Sequence, residues 1–321
     1  MKINSSKMML ISMLLLTNMM MLSSNSILFM WMNMEINMIM LITILTKSKL
    51  IKDQIMKYIV IQTTASSIMM LSILINTTFK MNIKESLLMM ISMTMKMGLI
   101  PTHLWLPELM QSISWNKCLI MTTIQKIPPT MIISQMTNMK LILMSMTLSL
   151  LMSPISGFKQ TSLKKMMAYS SISNSSWMII SLNISMKMFM LYFITYMLIT
   201  LMTMNMFKKL KMNFLTQMKK MNMNNKMSLI MNMLSNSGMP PMLGFLPKWM
   251  ILQNILNTSI IISMMMIISS VMMMFMYLKL INPMMMNSNS TKKNKNNMNI
   301  IMMYNLVNLL GMPLLMLMPI F

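Results

Sequence analysis

The sequence predicts an all-α polytopic membrane protein of about eleven transmembrane helices, two of them broken. Three observations carry this. Hydrophobic residues make up 56% of the 321, charged residues only 10%, and mean hydropathy is +0.63. A soluble protein carries about 25% charged residues, so too little charge is present to cover a water-facing surface of this size. Apolar runs long enough to cross a bilayer core of roughly 30 Å, which takes about 20 residues, recur along the chain, and the breaks between them are short, polar and lysine-bearing.

In chain order the apolar segments fall at about 8–23, 27–46, 58–78, 84–113, 117–137, 139–157, 167–184, 186–206, 227–257, 259–281 and 300–320. The longest basic loop is 207–226, and 286–299 is the second. Neither can bury a core, so residues 1–321 are expected to form a single transmembrane domain. The first segment lacks a small-residue cleavage site, and no Arg-rich amphipathic leader precedes it. Either the protein is inserted from the compartment that makes it, or its targeting is internal.

The net charge of +23 comes from 27 basic residues against Glu35, Asp53, Glu85 and Glu108. Every basic residue is lysine. Nucleic acid is excluded as a partner: the lysines lie between apolar runs, and arginine is absent for bidentate contacts to bases or phosphates. Eleven spans place Lys2, Lys7, Lys47, Lys49, Lys52, Lys57, Lys117, Lys159, Lys164, Lys165, Lys208, Lys209, Lys211, Lys219, Lys220, Lys226, Lys279, Lys292, Lys293 and Lys295 on one side. The other side receives only Lys80, Lys84, Lys140 and Lys187. That asymmetry puts the N-terminus inside and the C-terminus outside.

Methionine accounts for 65 residues, while alanine (Ala65, Ala168) and valine (Val60, Val271, Val307) almost vanish. The methionines are spread through every apolar run, which opposes a metal-binding reading. The bias is that of an AT-rich organellar gene whose code reads AUA as Met, and a GC-balanced nuclear gene would contradict this. Cys118 is the sole cysteine and His103 the sole histidine. Neither a multi-residue metal centre nor a haem or iron–sulfur site can be assembled from them. No glycine-rich nucleotide loop occurs.

Three lysines lie inside apolar segments: Lys96, Lys126 and Lys248. Glu35 is also mid-span. A lysine at the bilayer centre costs about 2.5–3.5 kcal/mol. Lys96 and Lys248 could snorkel to an interface; Lys126, about ten residues from either end of its segment, is less able to. The functional reading is a proton path, in which a partner's charge switches a lysine's proton affinity. A membrane scaffold would not need four buried charges, at roughly 10 kcal/mol together on the same insertion scale. Asp53, in a lysine-rich loop, reads as solvated, and Glu85 suits a helix N-terminus.

Segment 84–113 is interrupted by Gly98, Pro101 and Pro107, and segment 227–257 by Gly238, Pro240, Pro241, Gly244 and Pro247. A simple kink is one reading. The other is a pair of broken helices whose freed carbonyls face protein or a water-filled cavity. The breaks fall in spans 4 and 9, five apart. This suggests inverted five-helix repeats, 1–137 and 138–281, with a terminal helix at 300–320.

The stretch Lys96-Met-Gly-Leu-Ile-Pro-Thr-His-Leu-Trp-Leu-Pro-Glu108 resembles the KxGxxPxHxWxPE motif of the antiporter-like membrane subunits of respiratory complex I. Gly238-Met-Pro-Pro-Met-Leu-Gly-Phe-Leu-Pro-Lys248 is similar to that family's GxPPxxGFxxK, and Gln125-Lys126-Ile-Pro-Pro129 to its QKxxP. The three occur in the family's order, and the resemblance covers essentially the whole chain. Thr102 and Leu104 stand where aromatic residues are common in the family, and Pro129 adds a second proline.

The resemblance implies a proton-translocating subunit, part of an NADH:ubiquinone reductase whose redox chemistry lies on other chains. Glu35 would tune Lys96, Lys126 would be the central relay, and Lys248 would face the exit. His103 is either a supporting group in the same hydrated region or a satisfied structural one. NADH, FMN, iron–sulfur clusters and ubiquinone would bind elsewhere in the complex, leaving no cofactor and no metal on this chain. Partners would be other membrane-arm and accessory subunits and lipids such as cardiolipin. The inside would be the mitochondrial matrix and the outside the intermembrane space. A stand-alone cation/proton antiporter and another homologous subunit are the neighbouring alternatives. A secondary carrier is disfavoured by the absence of loop arginines.

Overall fold

A computed structural model describes residues 5–46, 52–79, 87–136, 140–221, 223–286, 305–309 and 311. Lys80, Lys84, Glu85, nearly all of the 286–299 loop and most of the expected terminal helix lie outside them. Among the described residues the chain is helical, with one isolated antiparallel bridge, Ser162–Phe214. It folds as two compact units, Met1–Ser149 and Leu150–Phe321.

In the first unit, α1 (Ser5–Ser23) packs on α2 (Ile27–Leu45), and α2 on α3 (Lys52–Phe79). Next come α4 (Leu87–Met97), α5 (Trp105–Ser112), α6 (Trp115–Thr122) and α7 (Ile127–Ser134), followed by α8 (Lys140–Phe158), within which the division between the units falls. Helix α3 lies against both α4 and α5, and α7 against α1, α2 and α4. The buried core is built from Met30, Met69, Met93, Met97 and Leu109, where a more typical sequence would use Leu and Val. Unbranched thioethers fill irregular gaps well enough to serve.

The second unit holds α9 (Leu163–Ile184), α10 (Met186–Lys209), α11 (Met223–Ser237), α12 (Phe245–Leu256) and α13 (Ile260–Met285). Its core is more aromatic: Trp177, Phe189, Phe207 and Tyr277 are almost fully enclosed. Helix α9 is buried around most of its circumference although it is rich in serine. Ser170, Ser171, Ser173, Ser175 and Ser181 each donate to the carbonyl three residues back, so their hydroxyls are satisfied within the helix.

Among the described residues, Ile27–Leu45, Lys52–Ile75, Met186–Lys209 and Ile260–Met285 are long and apolar enough to cross a membrane. Met8–Ser23, Leu87–Met97 and Ile142–Phe158 are shorter apolar helices. Along α1 and α13 the outward residues are apolar as well, with Met8 65% and Ile261 76% exposed, a surface suited to lipid.

Both expected breaks are real interruptions. The segment expected at 84–113 divides into α4 and α5, and that at 227–257 into α11 and α12. A third break differs from the expected pattern of two broken helices. The segment expected to run unbroken over 117–137 splits at Thr123 into α6, a 3-10 turn at Ile124–Lys126, and α7. The reason is local: Pro128 and Pro129 carry no N–H, so the carbonyls a turn before them lose their helical donors.

The connection expected as a long loop over 207–226 is largely structured. Helix α10 continues to Lys209, a 3-10 turn covers Leu215–Lys220, and α11 begins at Met223. Main-chain bonds from Leu163 to Asn213 and from Leu215 to Thr161 pin it to the start of α9. Lys226, grouped above with the loop lysines, is buried in the first turn of α11, because that helix starts before its apolar run does.

Candidate functional site

The two breaks flanking α4 and α11 are built alike. Gly98 follows α4 with φ +69°, and Gly238 follows α11 with φ +79°. Gly98 N–H bonds Met95 C=O at 3.2 Å, and Leu99 N–H bonds Thr94 C=O at 2.9 Å. Gly238 N–H bonds Ser235 C=O and Met239 N–H bonds Leu234 C=O, both at 3.1 Å. Each is a Schellman ending, which needs a left-handed residue and so favours glycine.

That ending leaves the carbonyl of the last helical residue without a main-chain donor. In both breaks a lysine supplies one. Lys126 Nζ donates to Met97 C=O at 3.0 Å. Lys248 Nζ donates to Ser237 C=O at 2.9 Å. Both side chains are buried. A cation at a helix C-terminus interacts favourably with the helix dipole as well as with the orphan carbonyl. The same arrangement recurs nearer the surface, where Lys117 bonds the carbonyl of Leu45 at the end of α2, and Lys279 that of Phe158 at the end of α8.

In the first unit, Lys96 sits in the last turn of α4 and Glu35 midway along α2. Lys96 Nζ lies 3.4 Å from Glu35 Oε1, a long ion pair in which the Lys96 side chain is 6% exposed and that of Glu35 23%. Lys96 and Lys126 line one cavity of about 30 Å³, together with Asn37, Tyr58, Gln62, Trp105 and Gln125. At roughly 10–15 Å³ per water centre, it has room for a few waters. Gln125 Nε2 and Trp105 Nε1 are buried donors with no partner among the described residues.

In the second unit, Lys248 leaves the first turn of α12 and lies 5.4 Å from the centroid of Trp177, a cation–π contact. Trp177 stacks on Tyr192 at 6.4 Å, and Tyr192 Oη donates to Asn174 Oδ1 at 3.0 Å. A cavity of about 20 Å³ beside Lys248 is lined by Asn174, Tyr192, Tyr196 and Asn236 among others. Asn236 Nδ2 has no partner among the described residues. The positive φ favours glycine here, and any Cβ would also displace the Lys248 side chain. A Cβ on Gly238 would meet Lys248 Cδ at 2.7 Å.

The structure therefore brings Glu35 to Lys96, and Lys96 to the cavity of Lys126, while Lys248 has its own aromatic-walled cavity. His103 does not line either cavity; its Nδ1 is 3.2 Å from Pro101 C=O in the loop between α4 and α5. No group of three or more His, Cys, Asp or Glu residues that could hold a metal occurs among the described residues.

Sequence reasoning missed Tyr58, Gln62, Asn174, Trp177 and Tyr192, and gave Trp105 and Gln125 no role beyond motif positions. One signal was present for Asn174 and Trp177. The run Ser170-Ser-Ile-Ser-Asn-Ser-Ser176 is too polar for a lipid-facing helix and marks a helix enclosed by protein.

Residues 24–274 match the NADH:quinone oxidoreductase/Mrp antiporter transmembrane family. The NADH-ubiquinone oxidoreductase chain 2 of Locusta migratoria is 38% identical over 268 residues, 80% of this chain and 78% of the relative. Among solved structures, a chain of respiratory complex I from Thermus thermophilus with bound aureothin shares the fold at TM-score 0.79 and 16% identity, over 97% of this chain and 78% of that one. A chain of the Mrp complex from Dietzia sp. DQ12-45-1b does so at TM-score 0.75 and 11% identity, covering 89% and 61%. The paired broken helices, the lysines that cap them and these likenesses agree: the chain belongs to the NADH-ubiquinone oxidoreductase chain 2 family, within the NADH:quinone oxidoreductase/Mrp antiporter transmembrane proteins.

Proposed function

We propose that this chain is a proton-translocating, antiporter-like subunit of respiratory complex I. Its relay is Glu35, Lys96, Lys126 and Lys248. The observation that carries the reading is the seating of Lys126. A buried ammonium holds one main-chain carbonyl at the break after α4 and opens on a cavity sized for water. A lysine so placed can give its proton to a water and take it back from the Lys96–Glu35 side, with the carboxylate biasing where positive charge rests.

The redox steps and their cofactors belong to other subunits in this reading, and other membrane-arm subunits and lipids are the partners. The chain sits in the mitochondrial inner membrane with the N-terminus in the matrix. The lysine asymmetry supports that orientation. The matched Gly98 and Gly238 breaks support eleven crossings arranged as two inverted five-helix repeats, 1–137 and 138–281, plus a terminal helix. His103 takes a supporting role beside the first break.

The test is Lys126→Ala in the assembled complex, with NADH-driven proton pumping followed in proteoliposomes. Pumping is expected to fall at least about tenfold, within the range for loss of a proton-transfer group. Normal pumping by an assembled variant would remove Lys126 from the relay.

A further inference from the structure

The first unit carries a second concavity, on the outer side of α3 and α5. It is a groove of about 490 Å³ lined by Asp53, Met56, Lys57, Val60, Ile61, Leu104, Trp105 and Glu108. Across it Lys57 Nζ lies 2.7 Å from Glu108 Oε2, with the two side chains 55% and 42% exposed. Such an exposed pair contributes little to stability. Its position is the informative feature.

Trp105 lies one helical turn before Glu108 on α5, so the two share a face. Its ring lines both the outer groove and the inner cavity that holds Lys96 and Lys126. On the facing helix, Tyr58 follows Lys57 directly and also lines the inner cavity. The Tyr58 and Trp105 rings meet at 5.4 Å, tilted by 51°. On α3 Lys57 lines the groove and its neighbour Tyr58 the cavity, while on α5 Trp105 borders both. Trp105 is 6% exposed, and its Nε1 is a donor with no partner among the described residues.

We infer that Glu108 is the proton-loading group of the first unit, with the Tyr58–Trp105 pair as the partition between it and the buried lysines. The inference rests on the relay reading above and deepens it. The Glu108 carboxylate takes a proton from a hydronium ion in the groove: one O–H bond forms on Glu108 as one breaks on the hydronium, leaving water. The neutral acid then loses its attraction for Lys57. A second carboxylate is within that lysine's reach, because Asp53 lies four residues earlier on α3 and faces the same groove. With Lys57 drawn to Asp53, Glu108 passes its proton to a water held by Trp105 Nε1 at the edge of the inner cavity, and that water hands a proton to a lysine of the cavity standing as the neutral amine, so that one O–H bond breaks on Glu108 as one N–H bond forms on the lysine. The regenerated carboxylate recovers Lys57 and resets the groove.

The experiment compares Glu108→Gln with Glu108→Asp in the assembled complex, measuring protons pumped per NADH oxidised. E108Q should lower the yield at least about threefold, and E108D should keep more than about half of it, since only a group that can carry the proton restores transfer. A yield for E108Q matching that of the unmodified complex would overturn the inference. So would an E108D as poor as E108Q, because the residue would then matter only for its fit. If E108Q fails to assemble, Glu108→Asn against E108D repeats the contrast at matched side-chain length. A defective K126A complex beside a normal E108Q complex sinks the loading role alone. A normal K126A complex sinks the relay reading itself.

Discussion

Lys126 Nζ holds the carbonyl of Met97 at 3.0 Å, and Met97 is the residue at which α4 ends. Lys248 holds the carbonyl of Ser237 at 2.9 Å, where α11 ends. A main-chain carbonyl is a neutral, fixed acceptor. It orients an ammonium without trapping the proton as a carboxylate would. The lysine is therefore positioned without a carboxylate on its proton, as the relay proposed above requires.

Lys126→Arg separates positive charge from transferable proton. A guanidinium keeps the charge and can bond Met97 C=O, but it does not release a proton in proteins. The variant is expected to assemble and to pump as poorly as Lys126→Ala. Proton uptake into proteoliposomes, normalised to the amount of complex on a non-denaturing gel, checks this.

Glu35 and Lys96 should behave as one unit. Glu35→Gln and Lys96→Met are each expected to cut pumping severalfold. The double variant should be no worse than the poorer single one, because either change already removes the ion pair. Additive losses would place the two residues on separate routes.

Gly238→Ala combines two costs. The left-handed backbone penalises a Cβ by about 1–2 kcal/mol, and the new methyl would press on Lys248 Cδ. Heat stability of the complex should fall, and pumping should fall further than NADH oxidation with an artificial acceptor. Gly98→Ala provides the comparison, because its Cβ would meet the Trp105 ring at 3.1 Å instead of a lysine.

Much of this was legible in the sequence because the signals are local. Gly98, Pro101, Gly238 and Pro240 announce interrupted helices by chemistry confined to a few residues. Lys96, Lys126, Lys248 and Glu35 stand out against apolar runs that cannot solvate them. The partners of those lysines were not legible. Lys126 reaches back 29 residues to a carbonyl, and every residue offers a carbonyl, so composition cannot say which one is chosen. Trp177 and Tyr192 read as ordinary apolar residues until α9 and α10 are packed together. The break at Thr123 was not read from Pro128 and Pro129, because prolines inside an apolar segment are compatible with a kinked, continuous span as well as with an interruption.

The carbonyl contacts also bear on inheritance. A bond to Met97 C=O or Ser237 C=O does not depend on which side chain stands at position 97 or 237, as long as the helix ends there. Codon drift toward methionine, isoleucine and asparagine can therefore rewrite the lining of these helices while the anchoring points of the two lysines stay in place. The two anchors constrain where α4 and α11 end and that a lysine reaches each ending, and not the side chains at 97 and 237 themselves.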